Sequence, residues 1–291
     1  MKGWTSAASE PLPFRIGPKC LSASSDDAPC FHIEEYMFDA NGAHAPSVCV
    51  VVPCYNEANR LDSAAFQRFF PLHPEIGFLF VDDGSQDATV SVLQKLCAGH
   101  EDRAVILRCE KNGGKAEAVR RGIVHALQSF NPGSVGFWDA DLATPLEALD
   151  DFTEVLNQKP HVEMVFGARV QLLGRQVHRK AARHYLGRVF ATVASHVLTL
   201  AIYDTQCGAK LFRVTAATPQ VFAQAFLSKW VFDVEIIARY LRFYKYDSKY
   251  VEGIIFEAPL RKWTDIEGSK LKVLDFFEAM RDMLRIYFKY F

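Results

Sequence analysis

The stretch VCVVVPCYNE, residues 48–57, passes from a run of valines to a polar cluster across Pro53. A short β-branched run without alternation reads as a strand buried on both faces, as in a parallel sheet. The same pattern recurs down the chain. FLFV at 78–81 ends in Asp82-Asp83-Gly84-Ser85, and AVILR at 104–108 is followed by a Gly113-Gly114 turn. VGFW at 135–138 ends at Asp139, and MVFGA at 164–168 is a fifth run. Helical stretches over about 87–97 and 115–128 separate these runs, and Pro145 suits the first turn of a further helix.

Strands alternating with helices predict an α/β fold, a Rossmann-like, doubly wound, mostly parallel sheet. Such sheets bind ligands beyond the carboxyl ends of their strands. Three polar clusters fall at those ends: Tyr55-Asn56-Glu57, Asp82-Asp83, and Asp139 with Asp141.

The chain has 291 residues, enough for one large α/β domain or two small ones. Its formal net charge of -1 gives no reason to expect a nucleic-acid partner. Seven cysteines, an odd number with no Cys-x-x-Cys pair, read as reduced thiols. Residues 1–45 are rich in Ser, Ala, Pro and Asp and read as a partly ordered extension, with 31–38 as a piece packed on the domain. They contain no apolar segment of the secretory kind. The most apolar later run, 189–203, is too short to span a bilayer and contains Ser195 and His196. A domain over 46–291 is expected, with ligand-binding elements in 46–170 and amphipathic helices in 171–291. Those helices are read at 181–201, 219–226 and 231–243, a strand at 251–256, and a tail from 271. The tail places Val273, Phe277, Met280, Leu284, Tyr287 and Phe291 on one helical face.

Asp139-Ala140-Asp141 puts two carboxylates just past a buried strand, where a turn can bring them to one point. Hard oxygen ligands of this kind suit Mg²⁺ or Mn²⁺ sharing a substrate diphosphate. The plainer alternative is a pair of loop acids capping the next helix. In the second cluster, Gly84 permits a tight turn and Ser85 or Asp87 can cap a helix, leaving a carboxylate to accept from a base or ribose. Asn112-Gly113-Gly114-Lys115 opens a helix with exposed N–H groups and an ammonium, an arrangement that suits an anion. No G-x-x-x-x-G-K-[ST] or G-x-G-x-x-G pattern is present, which argues against a Walker loop and an NAD enzyme. From Arg169 to Arg188 the chain carries six Arg or Lys, with His178 and His184, and no acid. This is either a solvated basic face or a sink for acceptor phosphate or anionic headgroups, with the apolar face of 181–201 on the bilayer. Asp204-Thr205-Gln206-Cys207-Gly208 and Trp230 through Glu235 are compact clusters between helical runs, with Asp233 and Glu235 suited to a helix start.

Taken together, VVVPCYNE (50–57), FVDDGSQDAT (80–89), KNGGKAEAVRRGI (111–123), FWDADLAT (137–144) and FGARV (166–170) resemble family 2 glycosyltransferases of GT-A fold, from about Ser47 onward. DTQCGAKLF (204–212), KWVFDVEI (229–236) and the 268–286 tail look most like dolichyl-phosphate β-glucosyltransferases and their polyprenyl-phosphate relatives. The resemblance implies an inverting transfer of a sugar, glucose from UDP-glucose, to a polyprenyl or dolichyl phosphate. Pro53, Tyr55, Asn56 and Glu57 would line the nucleotide pocket, Asp82 or Asp83 would hold the uracil, and Lys115 would lie by the base or diphosphate. Asp139 would contact ribose and metal, and Asp141 would ligate the metal. Arg169 would face the acceptor phosphate, and Gln206, Cys207, Gly208 and Lys210 would border the acceptor and sugar, with Trp230, Asp233 and Glu235 nearby. The expected location is cytoplasmic, peripheral on the cytosolic face of a membrane. Ala143 stands where related mannosyltransferases carry Gln, so no third metal ligand is read. Two rival readings are a transferase acting on a hydroxyl of a soluble or protein acceptor, and a silent nucleotide-sugar-binding module. A hydroxyl acceptor would need a base, for which Asp204, Asp233 and Glu235 are the candidates.

Overall fold

The computed structural model describes residues 46–178, 181–264 and 273–291, without the side chains of 178, 181–186 and 273–277. The 1–45 extension therefore lies outside the described residues. So do Arg179, Lys180 and residues 268–272, and the side chains of His178, Arg183, His184, Val273 and Phe277.

The five strands read in the first half of the sequence all form: β1 Val48–Cys54, β2 Ile76–Asp82, β3 Ala104–Arg108, β4 Ser134–Trp138 and β5 Met164–Ala168. Helices α1 Ser63–Phe69, α2 Thr89–Cys97, α3 Lys115–Ser129 and α4 Ala148–Gln158 connect them. Helix α4 begins three residues after Pro145, whose carbonyl accepts from Ala148 N. The second half supplies β6 Gln176–His178, α5 Ala181–Leu198, β7 Ala209–Arg213, α6 Ala217–Phe222 and α7 Phe232–Phe243. It ends with α8 Ser248–Ile254, β8 Ile255–Pro259, β9 Lys262–Thr264 and α9 Val273–Tyr290. The expected strand over 251–256 is thus displaced: α8 takes its first four residues, and β8 begins at Ile255.

Seven strands make one sheet in the order β3-β2-β1-β4-β7-β5-β8, with β6 and β9 as a separate parallel pair. β1, β2, β3 and β4 pair in parallel, as do β5 and β8. β7 runs antiparallel between β4 and β5. It was not read from the sequence, which treats 204–208 as a cluster between helices. Two glycines admit it: a Cβ on Gly136 would overlap the Lys210 carbonyl oxygen, and one on Gly208 would overlap the Asp139 carboxylate.

Alternate residues of each strand feed opposite cores, as the period of two requires. Val50, Val52, Phe78 and Phe80 pack under α1, α2 and α4 with Phe66, Phe69 and Phe152. Cys49, Val51, Leu79 and Val81 pack against α3, and the same core continues through α5, α7 and α9. Phe190, Ala194 and Leu198 of α5 are buried in it. The apolar residues at 190, 194 and 198 therefore lie on the protein, which corrects, for that part of the helix, the expectation that its apolar face lies on a bilayer.

Helix α9 carries two apolar stripes. Met283, Ile286 and Tyr290 are buried, whereas Leu284, Tyr287 and Phe291, from the face read in the sequence, are exposed together with Phe288. A buried cluster fixes its end: Glu235 of α7 accepts from Tyr290 Oη at 2.7 Å, from Arg239 Nη2 at 2.8 Å and from Leu227 N at 2.7 Å. Arg239 also donates to the carbonyls of Val221, Gln224 and Ala225. Glu235 is fully buried, so its charge depends on these donors. Arg239→Ala should lower the unfolding free energy by about 3–5 kcal/mol, the cost of stranding one member of a buried pair. Urea denaturation checks this, with Phe288→Ala as an exposed control expected to change little.

Candidate active site

The loop after β1 is laced to the loop after β2. Asn56, with φ of 54°, donates its backbone N–H to Ser85 Oγ at 3.0 Å, and its Oδ1 accepts from Gln86 N at 2.9 Å. Glu57 N donates to Thr89 Oγ1 at 2.8 Å, and Asp87 accepts from Ala58 N and Thr89 N. Asp83, at the end of β2, accepts from Gly113 N at 2.9 Å and Gly114 N at 2.7 Å. Burial raises its carboxyl above the ordinary value, and those two N–H groups oppose the shift. Asp83 thereby sets the shape of the turn that opens α3 and delivers Lys115. Asp82 is buried beneath it, where Oδ1 accepts weakly from Ser85 N at 3.4 Å.

At the end of β4 the chain folds back on itself. Leu142 N donates to the Asp139 carbonyl at 3.1 Å, Leu142 takes a φ of 50°, and Ala143 N donates to Asp141 Oδ1 at 3.1 Å. A positive φ at a bulky residue is strained and marks a conformation that the surroundings impose. Trp138 holds the far side of the turn by donating Nε1 to the Thr144 carbonyl at 2.8 Å. Both carboxylates face one cavity of about 480 Å³. Asp139 lies 2.5 Å from Lys115 Nζ, and Asp141 lies 3.5 Å from Arg60 Nη2. Burial and then the Asp139 charge push Asp141 above the usual carboxylate range, with Lys115 and Arg60 opposing. Burial works against the Lys115 ammonium, but Asp139, Asp233 and Asp141 together outweigh it, and the pKa rises above the ordinary lysine value.

The cavity gathers most of the residues predicted to hold the donor: Pro53, Tyr55, Asn56, Glu57, Asp83, Lys115, Asp139 and Asp141. Its remaining polar rim is Arg60, Asn112, Lys229 and Trp230. Arg60 went unread, although its spacing of three from Glu57 puts the two 3.4 Å apart. The Lys229 stem runs over Gly114, and Trp230 is 52% exposed at the cavity edge.

Asp82, Arg169, Gln206 and Asp233 do not line this cavity. Arg169 grips Asp204 through Nε at 2.6 Å and Nη2 at 2.8 Å, and stacks over the Trp263 ring. Asp204 Oδ1 also accepts from Gln206 N, and Gln206 Nε2 reaches Thr205 Oγ1 at 3.5 Å. Lys210, fully buried, spends its three donors on Asp233 Oδ1 at 2.6 Å, the Cys207 carbonyl at 2.6 Å and the Thr205 carbonyl at 3.0 Å. Asp233, expected as a helix-start acid, is the counter-charge of this lysine. Burial raises its carboxyl, and Lys210 and then Lys115 oppose the shift.

The two carboxylates form the kind of donor set that takes a hard divalent ion. They are oxygen ligands crowded into a partly buried place, and like charges there are relieved by a cation. Among the described residues no third acid, His or Cys joins them.

A profile described as Glycosyl transferase family 2 matches residues 49–218, more than half of the chain. The dolichyl-phosphate beta-glucosyltransferase of Drosophila melanogaster is 31% identical over 256 residues, which covers 83% of this chain and 74% of that protein. Its counterpart in Homo sapiens is 30% identical over 256 residues, covering 83% and 75%. Among solved structures, glucosyl-3-phosphoglycerate synthase from Mycobacterium tuberculosis, in complex with Mn²⁺ and UDP-glucose, aligns with a TM-score of 0.57 at 15% identity, covering 84% of this chain and 78% of that one. Mannosyltransferase PcManGT from Pyrobaculum calidifontis, in complex with GDP-Man and Mn²⁺, aligns at 0.53 and 19%, covering 85% and 64%. At those identities the structural likeness speaks to the fold, the expected GT-A arrangement. The chain belongs to glycosyl transferase family 2 and is a glycosyltransferase.

Proposed function

We propose that the protein transfers glucose, with inversion, from UDP-glucose to a polyprenyl or dolichyl phosphate at a membrane surface. The acceptor class carries over from the two relatives above, whose names state dolichyl phosphate. One observation about this chain supports it most directly. The three acids that a hydroxyl acceptor could use as a base are all engaged: Asp204 with Arg169, Asp233 with Lys210, and Glu235 with Arg239 and Tyr290. An acceptor that is already an anion needs no base. The phosphate oxygen forms the bond to the anomeric carbon, the bond to the UDP oxygen breaks on the opposite face, and no proton has to be removed.

Asp139 and Asp141 are the residues that would hold a Mg²⁺ or Mn²⁺ ion together with the donor diphosphate. When bound, that ion supplies Lewis-acid neutralisation of the leaving group and a template for the donor. Lys115 and Arg60, paired with the two aspartates, are cations of this cavity that would preorganise it electrostatically for a diphosphate. Pro53, Tyr55, Asn56 and Glu57 form the wall for the nucleoside, and Asp83 acts through the Gly113-Gly114 turn or on the base. Arg169 and Gln206 belong to the acceptor side, where Arg169 is held in place by Asp204. Among the described residues no helix is long and apolar enough to cross a membrane. We place contact with a lipid acceptor at a membrane surface, on its cytosolic face.

Two outcomes are expected. Supplied with UDP-glucose and Mn²⁺, the protein should glucosylate a short-chain prenyl phosphate and leave the matching prenyl alcohol untouched, as read by chromatography of labelled product. Transfer to the alcohol or to a soluble hydroxyl would instead support the rival acceptor, and no turnover of the donor at all would favour a silent binding module. Asp141→Ala should reduce transfer by about 100-fold or more with an unchanged thermal midpoint; turnover like that of the unmodified protein would remove the ion from the account.

A further inference from the structure

We infer that the outer face of α9, together with the Tyr246 turn, is the surface that docks on an anionic lipid bilayer. The inference rests on the reading of a lipid-phosphate acceptor and names which face meets the lipid. Leu284, Tyr287, Phe288 and Phe291 are 55%, 44%, 80% and 46% exposed on one side of α9, and Tyr246 is 46% exposed beside them. The rings form one connected group: Tyr287 to Phe288 at 5.6 Å, Tyr287 to Phe291 at 6.0 Å, and Tyr246 to Phe291 at 5.8 Å. Isolated exposed apolar residues are ordinary, but a contiguous aromatic group marks an interaction site.

The charge next to this group selects the occupant. Arg281, Arg285 and Lys289 follow the stripe around the helix at the next angular positions, and Lys245 adjoins Tyr246, all exposed. Asp282 pairs with Arg285 and Arg281 from the buried side, and Lys289 lies over the Tyr290 ring. An aromatic stripe with a basic flank is the composition of a helix lying in a headgroup region, where Tyr hydroxyls and Lys or Arg tips stay wet. A second copy of this chain in a twofold contact would bring these cations against themselves. Location fits as well. Arg285 Nη1 donates to the Leu227 carbonyl at 3.4 Å, two residues before Lys229 on the cavity wall, so the helix is tied to the segment that borders the donor site. Phe190, Ala194 and Leu198 of α5 are occupied by the core and do not compete for this role.

The test is flotation of the full chain with vesicles of phosphatidylcholine alone or mixed with phosphatidylserine. The chain should float with the mixed vesicles at low salt and weaken as salt rises. Leu284→Glu with Phe288→Glu should lower that binding by about tenfold or more, while transfer to a water-soluble short-chain prenyl phosphate stays unchanged. Should this pair fail to fold, Arg281→Glu with Lys289→Glu is expected to lower binding to the mixed vesicles only. Equal flotation of the folded variants and the original would overturn the inference. So would failure of the original chain to float, or a dimer that the variants dissolve. A chain that floats through this face but never glucosylates a prenyl phosphate would keep the docking surface and refute the acceptor reading.

Discussion

Two carboxylates held at one point demand a counter-charge, and much of the site is arranged around that demand. Asp139 and Asp141 leave the end of β4 through a turn that forces Leu142 into a positive φ. Gly208, just before β7, is the space into which the Asp139 carboxylate fits. Lys115 and Arg60 supply positive charge from two other loops, and each of those loops is positioned by hydrogen bonds of its own. The cluster is therefore the meeting point of β1, β2, β4 and β7 rather than a property of one motif.

Behind it lies a layer of largely buried ion pairs. Glu257 accepts from Tyr203 N and Asp204 N, Asp204 holds Arg169, and Lys210 ties the Thr205 and Cys207 carbonyls to Asp233 at the start of α7. Because Lys210 is fully buried, every donor it has must be matched, and matching them fixes the 204–208 loop against both the sheet and α7. That loop in turn presents Gly208 to Asp139. A charge in the interior here serves as a positioning device for the charges that face the cavity.

Most of the parallel sheet was legible because its strands are short apolar runs that stop at polar clusters, and the cavity formed where those clusters predicted. What escaped reading did so for physical reasons. β7 is five residues long with a lysine at its second position and an arginine at its end, and a lysine in a strand gives no apolar signal even when it is fully buried. The start of β8 was placed four residues early because Ile254, Ile255 and Phe256 look alike to a pattern, while Asp247 capping Tyr250 N sets a helix there instead. Arg60 lies in a loop, where neither period applies. The roles of Asp204, Asp233 and Glu235 are settled by partners distant in sequence, such as Glu235 with Tyr290 across 55 positions. The apolar stripe of α9 was visible, but a single helix periodicity could not tell which of its two stripes would be buried.

Asp139 and Asp141 are proposed to take a divalent ion jointly with a diphosphate. Electron paramagnetic resonance titration of Mn²⁺, with and without UDP, tests it most directly. UDP should tighten Mn²⁺ binding, and Asp139→Asn with Asp141→Asn should abolish that gain. Mn²⁺ binding indifferent to UDP, or unchanged when both carboxylates become amides, would contradict the account.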